Sequence, residues 1–233
     1  MPYISGSTGK KKIAGEGGNG KVGIYWDTKE QCKVAIKTKA SHNPFRSKIT
    51  DLPQIKSPYV AAYKDLTTLI IDGKKVQGLV MEYVHGQTCF IDQIYRLSPD
   101  ELLKTCKQLI AAFEAFAKAG FCHMDLAQHF ENVRINRDGD IKIIDYEDAL
   151  GNPDHNRYLA IQYVLAALNA YHNGDELCSR LLEQFPELYD QVETYLNSNS
   201  GKAYNQYTVK DYAPSFDKLR AALDHLKEQK VFG

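Results

Sequence analysis

Residues 15–22 read Gly15-Glu16-Gly17-Gly18-Asn19-Gly20-Lys21-Val22, and residues 34–37 read Val34-Ala35-Ile36-Lys37. The glycines lie between two runs of residues with strand character. Because glycine has no Cβ atom, a backbone rich in glycine can approach phosphate groups closely. Alternation along the second strand puts Ala35 and Lys37 on one face and Val34 and Ile36 on the other. The pattern predicts a glycine-rich hairpin next to a lysine that binds nucleotide phosphates.

The first part of the chain favours strands. Strand-like runs lie at 12–14, 22–26, 32–37, 67–71 and 76–83. Asp72-Gly73, between the last two runs, predicts a hairpin turn. A short helix is predicted within residues 44–55, where Pro53 would interrupt it.

From residue 98 the apolar residues recur with helical spacing. Ser98-Pro99-Asp100-Glu101 combines an N-cap serine, a proline at the first helical position and a glutamate at the third. Further helices are predicted over 157–172, 175–197 and 215–230, with two short strands at 133–136 and 141–144. We therefore expect an α+β fold of two lobes, a small β-rich lobe over 1–86 and a mainly helical lobe over 87–233.

Composition excludes several classes of protein. The chain has 233 residues, 43% of them hydrophobic and 25% charged, which argues against a disordered or fibrous protein. Equal numbers of Lys+Arg and Asp+Glu, 29 each, argue against a nucleic-acid partner bound through bulk positive charge. The charges are unevenly spread along the chain. Residues 1–86 hold fourteen basic residues but only seven acidic ones.

Two further features indicate the compartment. The five cysteines lack CxxC spacing, so we expect free thiols in a reducing environment and neither zinc nor disulfides. The sequence also lacks a signal-peptide apolar region and any apolar run long enough to span a membrane. We expect a soluble protein of the cytoplasm.

Three oxygen-bearing side chains follow the long helix. Asp125 lies in His123-Met124-Asp125, and Asn132 and Asp145 lie at the edges of the hairpin predicted over 133–144. Phosphoryl transfer needs metal ligands that neutralise phosphate and a carboxylate that orients the acceptor hydroxyl. These three residues can supply that set.

On these motifs the sequence resembles the eukaryotic-like protein kinase superfamily over about residues 10 to 172. Val34–Lys37 matches the VAIK motif, residues 79–86 look like the adenine-binding hinge, and residues 123–135 resemble HRDLKPENVLI. The resemblance implies a two-lobed kinase fold with ATP in the cleft, a Mg²⁺ requirement and a protein substrate.

The resemblance also implies a role for each matching residue. Lys37 and Asp125 would be catalytic, with Lys37 holding phosphates and Asp125 orienting the acceptor as base. Asn132 and Asp145 would bind magnesium. The nucleotide-binding residues would be Gly15, Gly17, Gly20, Val22, Ala35, Lys37, Met81 as gatekeeper, and the backbone of Glu82 and Val84.

The sequence departs from the family pattern in the catalytic region. Asn132 lies two residues further from Asp125 than in the family, which we interpret as an insertion of residues 127 and 128. Met124 replaces the arginine of HRD, and Asp145-Tyr146-Glu147 replaces DFG. Between Asp145 and the helix predicted near residue 157, no room remains for an activation segment. The helical glutamate that normally pairs with the strand lysine is missing, and Asp51 is a candidate substitute.

We therefore predict an ATP-dependent phosphotransferase, in the form of a minimal, constitutively active serine/threonine protein kinase. It would resemble the effector kinases that pathogenic bacteria deliver into host cells. The alternative is a small-molecule kinase, since Ile144-Asp145-Tyr146-Glu147-Asp148-Ala149 looks like a segment of aminoglycoside and choline kinases. A second alternative is a pseudokinase that uses the fold to bind a partner.

Overall fold

The structure, a computed structural model, describes residues 3–5, 13–17, 20–39, 49–71, 73–85, 88–123, 130–149, 151, 153–188 and 213–229. The chain divides into two compact units. The first comprises Met1–Lys56 and Ala61–His85, and the second comprises Ser57–Val60 and Gly86–Gly233. Among the described residues, the first unit is built on strands and the second holds the α-helices. The predicted α+β fold, β-rich first and mainly helical afterwards, is confirmed.

The first unit contains a six-stranded antiparallel sheet. Its strands are β1 (Tyr3–Ser5), β2 (Ile13–Gly17), β3 (Gly20–Asp27), β4 (Cys32–Thr38), β5 (Tyr63–Ile71) and β6 (Lys74–Glu82). The order is β1-β3-β4-β6-β5, and β2 also pairs with β3. Each predicted strand overlaps one of β2 to β6, whereas β1 was not predicted. The predicted hairpin joins β5 to β6, and Gly73 in its turn has φ +74°.

One face of this sheet carries an apolar cluster. Val34, Ile36, Leu69 and Val80 form it, and the first two are 0% exposed. Since Val34 and Ile36 face the cluster, alternation along β4 directs Ala35 and Lys37 to the opposite face. The sheet thus separates an apolar surface from the surface that carries the predicted lysine.

The second unit begins with a small sheet and a long helix. The sheet contains β7 (Thr88–Cys89), β8 (Val133–Ile135) and β9 (Ile141–Ile143), in that order. The helices are α1 (Ile91–Ile94) and α2 (Pro99–Lys118). The Ser98 side chain accepts from the Glu101 N–H, and the Glu101 carboxylate accepts from the Ser98 N–H at 2.7 Å. This capping box confirms the predicted start of the long helix.

Three more helices follow: α3 (His155–Asn169), α4 (Gly174–Leu182) and α5 (Phe216–Glu228). The first and last match the predictions over 157–172 and 215–230 to within a few residues. Across the part of the chain that the structure describes, we find no helix whose length and apolar character would let it cross a bilayer.

The prediction of one continuous helix over 175–197 is wrong in its described part. Helix α4 ends at Leu182, and the Phe185 N–H donates to the Leu182 carbonyl oxygen at 2.8 Å in a turn. Pro186 has no N–H and disfavours helical geometry at the residue before it. Helical geometry resumes at residues 186–188, after which the chain lies outside the described residues until 213.

The turn of the β8–β9 hairpin lies against α2. At Gly139, φ is +74° and an added Cβ atom would lie 2.8 Å from the Thr105 hydroxyl oxygen. That hydroxyl donates to the Gly139 carbonyl oxygen at 2.8 Å. The Lys104 ammonium donates to the Asp138 carbonyl oxygen at 3.1 Å and lies 2.6 Å from the Asp140 carboxylate. Helix and hairpin are therefore held together by polar contacts of both side chains and backbone.

Helix α5 packs on α2 through leucines and ion pairs. Leu219, Leu223 and Leu226 are 0% exposed. Arg220 contacts Glu114, and Lys107 contacts Asp224. Burial of a leucine contributes about 1.5–3 kcal/mol, whereas a solvent-exposed ion pair contributes about 0–1 kcal/mol. The buried leucines therefore contribute more to the packing of α5 than the ion pairs do.

The described cysteine thiols are free. They are Cys32, Cys106, Cys122 and Cys178, while the side chain of Cys89 lies outside the described set. Burial raises the pKa of Cys106 and that of Cys122 to about 12. Both are therefore neutral thiols near pH 7 and pack as small apolar groups.

We expect Asp140→Asn to lower the free energy of unfolding by on the order of 1 kcal/mol at pH 7. Hydrogen bonds from Lys104, then Gln108 and Asn136, hold the pKa of Asp140 below its ordinary value of 3.8. Ionised Asp140 thus stabilises the fold above the pKa of the unfolded chain, and this stabilisation is lost as pH falls through the folded-state pKa. The difference in unfolding free energy between wild type and variant should therefore be smaller at acidic pH.

Urea unfolding at pH 7 and at about pH 2.5 measures this difference. Asp138→Asn, which changes an exposed carboxylate in the same turn, is the control and should shift stability by less than about 0.5 kcal/mol. If Asp140→Asn costs the same at both pH values, the ion pair with Lys104 is not the source of the effect.

Candidate active site

The glycine run lies in the hairpin formed by β2 and β3. Gly17 pairs with Gly20 and Gly15 pairs with Val22, while residues 18–19 at the tip lie outside the described residues. Gly20 has φ +148°, and an added Cβ atom would lie 2.2 Å from the Thr38 carbonyl oxygen. No side chain fits at that distance. The packing of β3 on the end of β4 therefore requires glycine at residue 20.

Lys37 is a charged side chain buried on β4, with only 5% exposed. It pairs with Val22 on β3 and with Leu79 on β6. Ala35, two residues earlier on the same face, pairs with Met81. A lysine is rarely buried to this degree without interacting groups. The structure thus brings Val22, Ala35 and Met81, three predicted nucleotide-binding residues, to the sheet face of Lys37.

The end of β6 carries the segment predicted to bond the edge of adenine. Met81, the predicted gatekeeper, is 8% exposed. The Glu82 N–H donates to the Ala62 carbonyl oxygen at 2.9 Å, and the Glu82 carboxylate accepts from the Ala62 N–H at 3.2 Å. The Glu82 N–H is therefore engaged within the first unit. Val84 follows the strand and is half-buried.

Asn132 and Asp145 lie at one end of the β8–β9 hairpin. Asn132 ends the 3-10 helix Phe130–Asn132 directly before β8, and Ile144 directly follows β9. The Ile144 N–H donates to the Asn132 carbonyl oxygen at 2.9 Å, which extends the strand pairing by one residue. Asp145 has φ +65°, a left-handed conformation that is uncommon for residues other than glycine. The two predicted metal ligands are therefore neighbours across one short hairpin.

His123 holds the backbone of Ile144 from a second side. The His123 Nε2 atom lies 3.0 Å from the Ile144 carbonyl oxygen, and since a carbonyl only accepts, Nε2 carries the proton. The imidazole is 2% exposed and lies 6.0 Å from the Phe116 ring, which also meets Tyr146 edge-on at 5.4 Å. No functional role was predicted for His123 from the sequence. The signal in the sequence was the position of His123 as the first residue of the segment 123–135, which resembles HRDLKPENVLI.

The protein kinase domain family matches residues 8–160, more than half of the chain. The chain belongs to the protein kinase domain family. A probable serine/threonine-protein kinase of Streptomyces coelicolor is similar to it, with 23% identity over 227 residues. That match covers 93% of this chain and 32% of the relative, so the chain spans about a third of the length of the curated relative. The predicted membership of the protein kinase superfamily is confirmed.

Protein kinase domains use ATP and a divalent cation. In such sites magnesium is commonly held by one or two carboxylates together with phosphate oxygens, and it prefers hard oxygen donors. The carboxylate of Asp145 and the amide oxygen of Asn132 fit this preference. Within the described ranges, no group of three or more His, Cys, Asp or Glu side chains could hold a metal ion.

In this kinase domain, the connection between Asp145 and the next helix is short. Helix α3 begins at His155, so residues 146–154 form the whole connection. The Ala149 N–H donates to the Tyr146 carbonyl oxygen at 3.1 Å in a turn, and Tyr146 and Glu147 are buried. The sequence predicted this shortness, and the helix starts slightly earlier than expected.

The side chains of two predicted site residues, Asp125 and Asp51, lie outside the described residues. Asp125 lies within 124–129, outside the described residues. Asp51 ends the 3-10 helix Ile49–Asp51, and its side chain lies outside the described set. Residues 40–48 are likewise not described, so the helix predicted within 44–55 is seen only as this 3-10 turn.

We expect Gly20→Ala to destabilise the first unit more than Gly73→Ala does, and to weaken nucleotide binding. Both glycines have φ values that other residues rarely adopt, at a cost of about 1–3 kcal/mol. At Gly20 the new Cβ atom also meets the Thr38 carbonyl oxygen, whereas at Gly73 nothing lies within 4 Å. Thermal unfolding with and without ATP measures both effects. Equal losses in the two variants would show that the close approach to Thr38 has no energetic role.

Proposed function

We propose that the chain transfers the γ-phosphate of ATP to the hydroxyl group of a serine or threonine in a protein. The observation that carries the proposal is that Asn132 and Asp145 lie at one end of the β8–β9 hairpin, with Ile144 bonded between Asn132 and His123. Phosphoryl transfer depends on positioning and charge stabilisation rather than on covalent chemistry by the protein. A bound Mg²⁺ ion would supply the positive charge that neutralises the phosphates.

Each predicted site residue takes one role in this reaction. Asp125 orients the acceptor hydroxyl and takes its proton, Lys37 binds phosphate oxygens, and Asn132 and Asp145 hold the cation. The residues proposed to surround the nucleotide are Gly15, Gly17, Gly20, Val22, Ala35, Met81, Glu82 and Val84. The pairing of buried Lys37 with Val22, which follows the glycine run, supports the phosphate-binding role. On this proposal residues 1–86 and 87–233 are the two lobes of one kinase domain.

The short connection after Asp145 supports a minimal, constitutively active kinase. Residues 146–154 leave little chain that phosphorylation could order, and Met124 stands where the resembled family has an arginine. The naming of the Streptomyces coelicolor relative as a probable serine/threonine-protein kinase supports a serine or threonine acceptor. Delivery into a host cell stays a prediction that rests on the resemblance to effector kinases alone.

The same short connection supports a second candidate, transfer to a small molecule such as an aminoglycoside or choline. Residues 144–149 resemble a segment of those kinases, and in the structure they form a compact turn whose Tyr146 and Glu147 are buried. Binding of nucleotide without turnover, as in a pseudokinase, is the third outcome.

Incubation with γ-labelled ATP and Mg²⁺ distinguishes these functions. The acceptors are the chain itself, casein, a histone mixture, kanamycin and choline. We expect label on protein. Label on kanamycin or choline would favour the second candidate, and ATP binding without transfer to any acceptor would favour a pseudokinase.

We expect Lys37→Ala and Asp125→Ala each to reduce transfer by about 10²-fold or more. Asp145→Ala should also abolish the dependence of nucleotide binding on Mg²⁺, which calorimetry measures. Asp138→Asn is the matched control, because this exposed carboxylate lies at the turn of the same hairpin, away from Asn132. It should retain transfer. Full activity of the Asp145→Ala variant would overturn the assignment.

A further inference from the structure

Gln108 on α2 bonds two adjacent residues where β9 begins. Its side chain is largely buried, with 6% exposed. The Gln108 Oε1 atom accepts from the Ile141 N–H at 2.9 Å, and Nε2 donates to the Asp140 carboxylate at 3.1 Å. We propose that Gln108 is a positioning residue for the pair Asn132 and Asp145 at the far end of the hairpin. This inference rests on the proposed phosphotransferase function.

Strand β9 offers its N–H groups alternately to its two sides. The Ile141 N–H bonds to Gln108, and the Ile143 N–H donates to the Tyr59 carbonyl oxygen at 2.9 Å. The Ile144 N–H points the other way, to the Asn132 carbonyl oxygen. Gln108 and Tyr59 therefore bond one side of β9, and Asn132 bonds the opposite side, which faces β8.

The register of this hairpin decides where Asp145 lies. Strands β8 and β9 have three residues each, so few ladder bonds fix their pairing. A slip of one residue would exchange the faces of β9 and remove the bond between Ile144 and Asn132. From Ile141 to Ile144 the strand spans only about 10 Å, so a contact that fixes Ile141 also limits the position of Asp145.

Two neighbouring side chains of α2 fix the turn but do not bond a strand N–H. Thr105 donates to the Gly139 carbonyl oxygen, and Lys104 contacts Asp138 and Asp140. Gln108 adds the bond to Ile141, the first residue of β9. Its two bonds therefore tie the anchored turn to the start of the strand that leads to Asp145.

Gln108→Glu tests the proposal because it keeps the oxygen that accepts from Ile141 and replaces the donor to Asp140 with a second acceptor. Two carboxylates then oppose each other at the start of β9. We expect the Mg²⁺ concentration for half-maximal phosphate transfer to rise about tenfold, at the lower end of the roughly 10–100-fold range for direct contacts of a metal ligand, because Gln108 bonds neither Asn132 nor Asp145. Adding Asp140→Asn returns a donor opposite the new carboxylate. In the double variant, the Mg²⁺ concentration for half-maximal transfer should lie within about threefold of the wild-type value, so that more of the loss is recovered than remains.

Gln184→Glu is the matched control. It makes the same chemical change at a glutamine whose Nε2 donates to the Ala222 carbonyl oxygen at 3.3 Å, between the end of α4 and α5. This variant should lower the melting temperature and leave the Mg²⁺ concentration for half-maximal transfer unchanged. A purely structural role for Gln108 would make its variant behave like the control.

Hydrogen exchange of the Ile144 amide gives a readout that needs no activity. Exchange should be faster in Gln108→Glu than in wild type, return towards wild type in the double variant, and stay unchanged in Gln184→Glu. Should Gln108→Glu fail to fold, Gln108→Met removes both hydrogen bonds of the side chain at nearly constant volume, and we expect the same direction of change in both readouts.

Three results would overturn the proposal: a folded Gln108→Glu variant with the wild-type Mg²⁺ requirement, a double variant that recovers nothing, or wild-type values in Gln108→Met when Gln108→Glu does not fold. A wild-type protein that transfers no phosphate to any acceptor would instead contradict the proposed function. The Ile144 exchange rates would still decide whether Gln108 positions the hairpin.

Discussion

The backbone of Ile144 is bonded in two directions, and the position of Asp145 depends on both bonds. Its N–H donates to Asn132 and its carbonyl accepts from His123. Asp145 has φ +65°, and such a conformation costs about 1–3 kcal/mol. Each hydrogen bond contributes about 1 kcal/mol net, so the two bonds are of the size needed to offset that cost. Without them, Asp145 would relax to an ordinary conformation and direct its carboxylate elsewhere.

Helix α2 packs against α3, α5 and β9 of the second unit. Most of its apolar residues are buried, but the stripe is interrupted by Thr105 and Gln108, which are 0% and 6% exposed. These two polar side chains are buried because they bond the hairpin. Charged residues of the same helix, Lys107 and Glu114, pair with α5. One helix thus orients both the strands that precede Asp145 and the last described helix.

Features with a local cause could be predicted from the sequence. The Ser98 cap and the turn at Gly73 depend on residues within a few positions of each other, and Asn132 and Asp145 flank strands with a clear pattern. The contacts of Gln108 could not be predicted, because they join residues more than thirty positions apart and an isolated glutamine on a helix has no distinctive pattern. The break after Leu182 was missed although Pro186 signalled it, since the apolar spacing continues across the turn.

The contacts of α2 also differ in how far apart the two partners lie along the sequence. The bond between Thr105 and Gly139 closes a loop of 34 residues, whereas the pair formed by Glu114 and Arg220 closes one of 106. Loop-closure entropy makes the second about 1 kcal/mol more costly than the first. During synthesis the hairpin also leaves the ribosome well before α5. The β8–β9 hairpin can therefore dock on α2 while α5, which packs on α2 later, is still being synthesised.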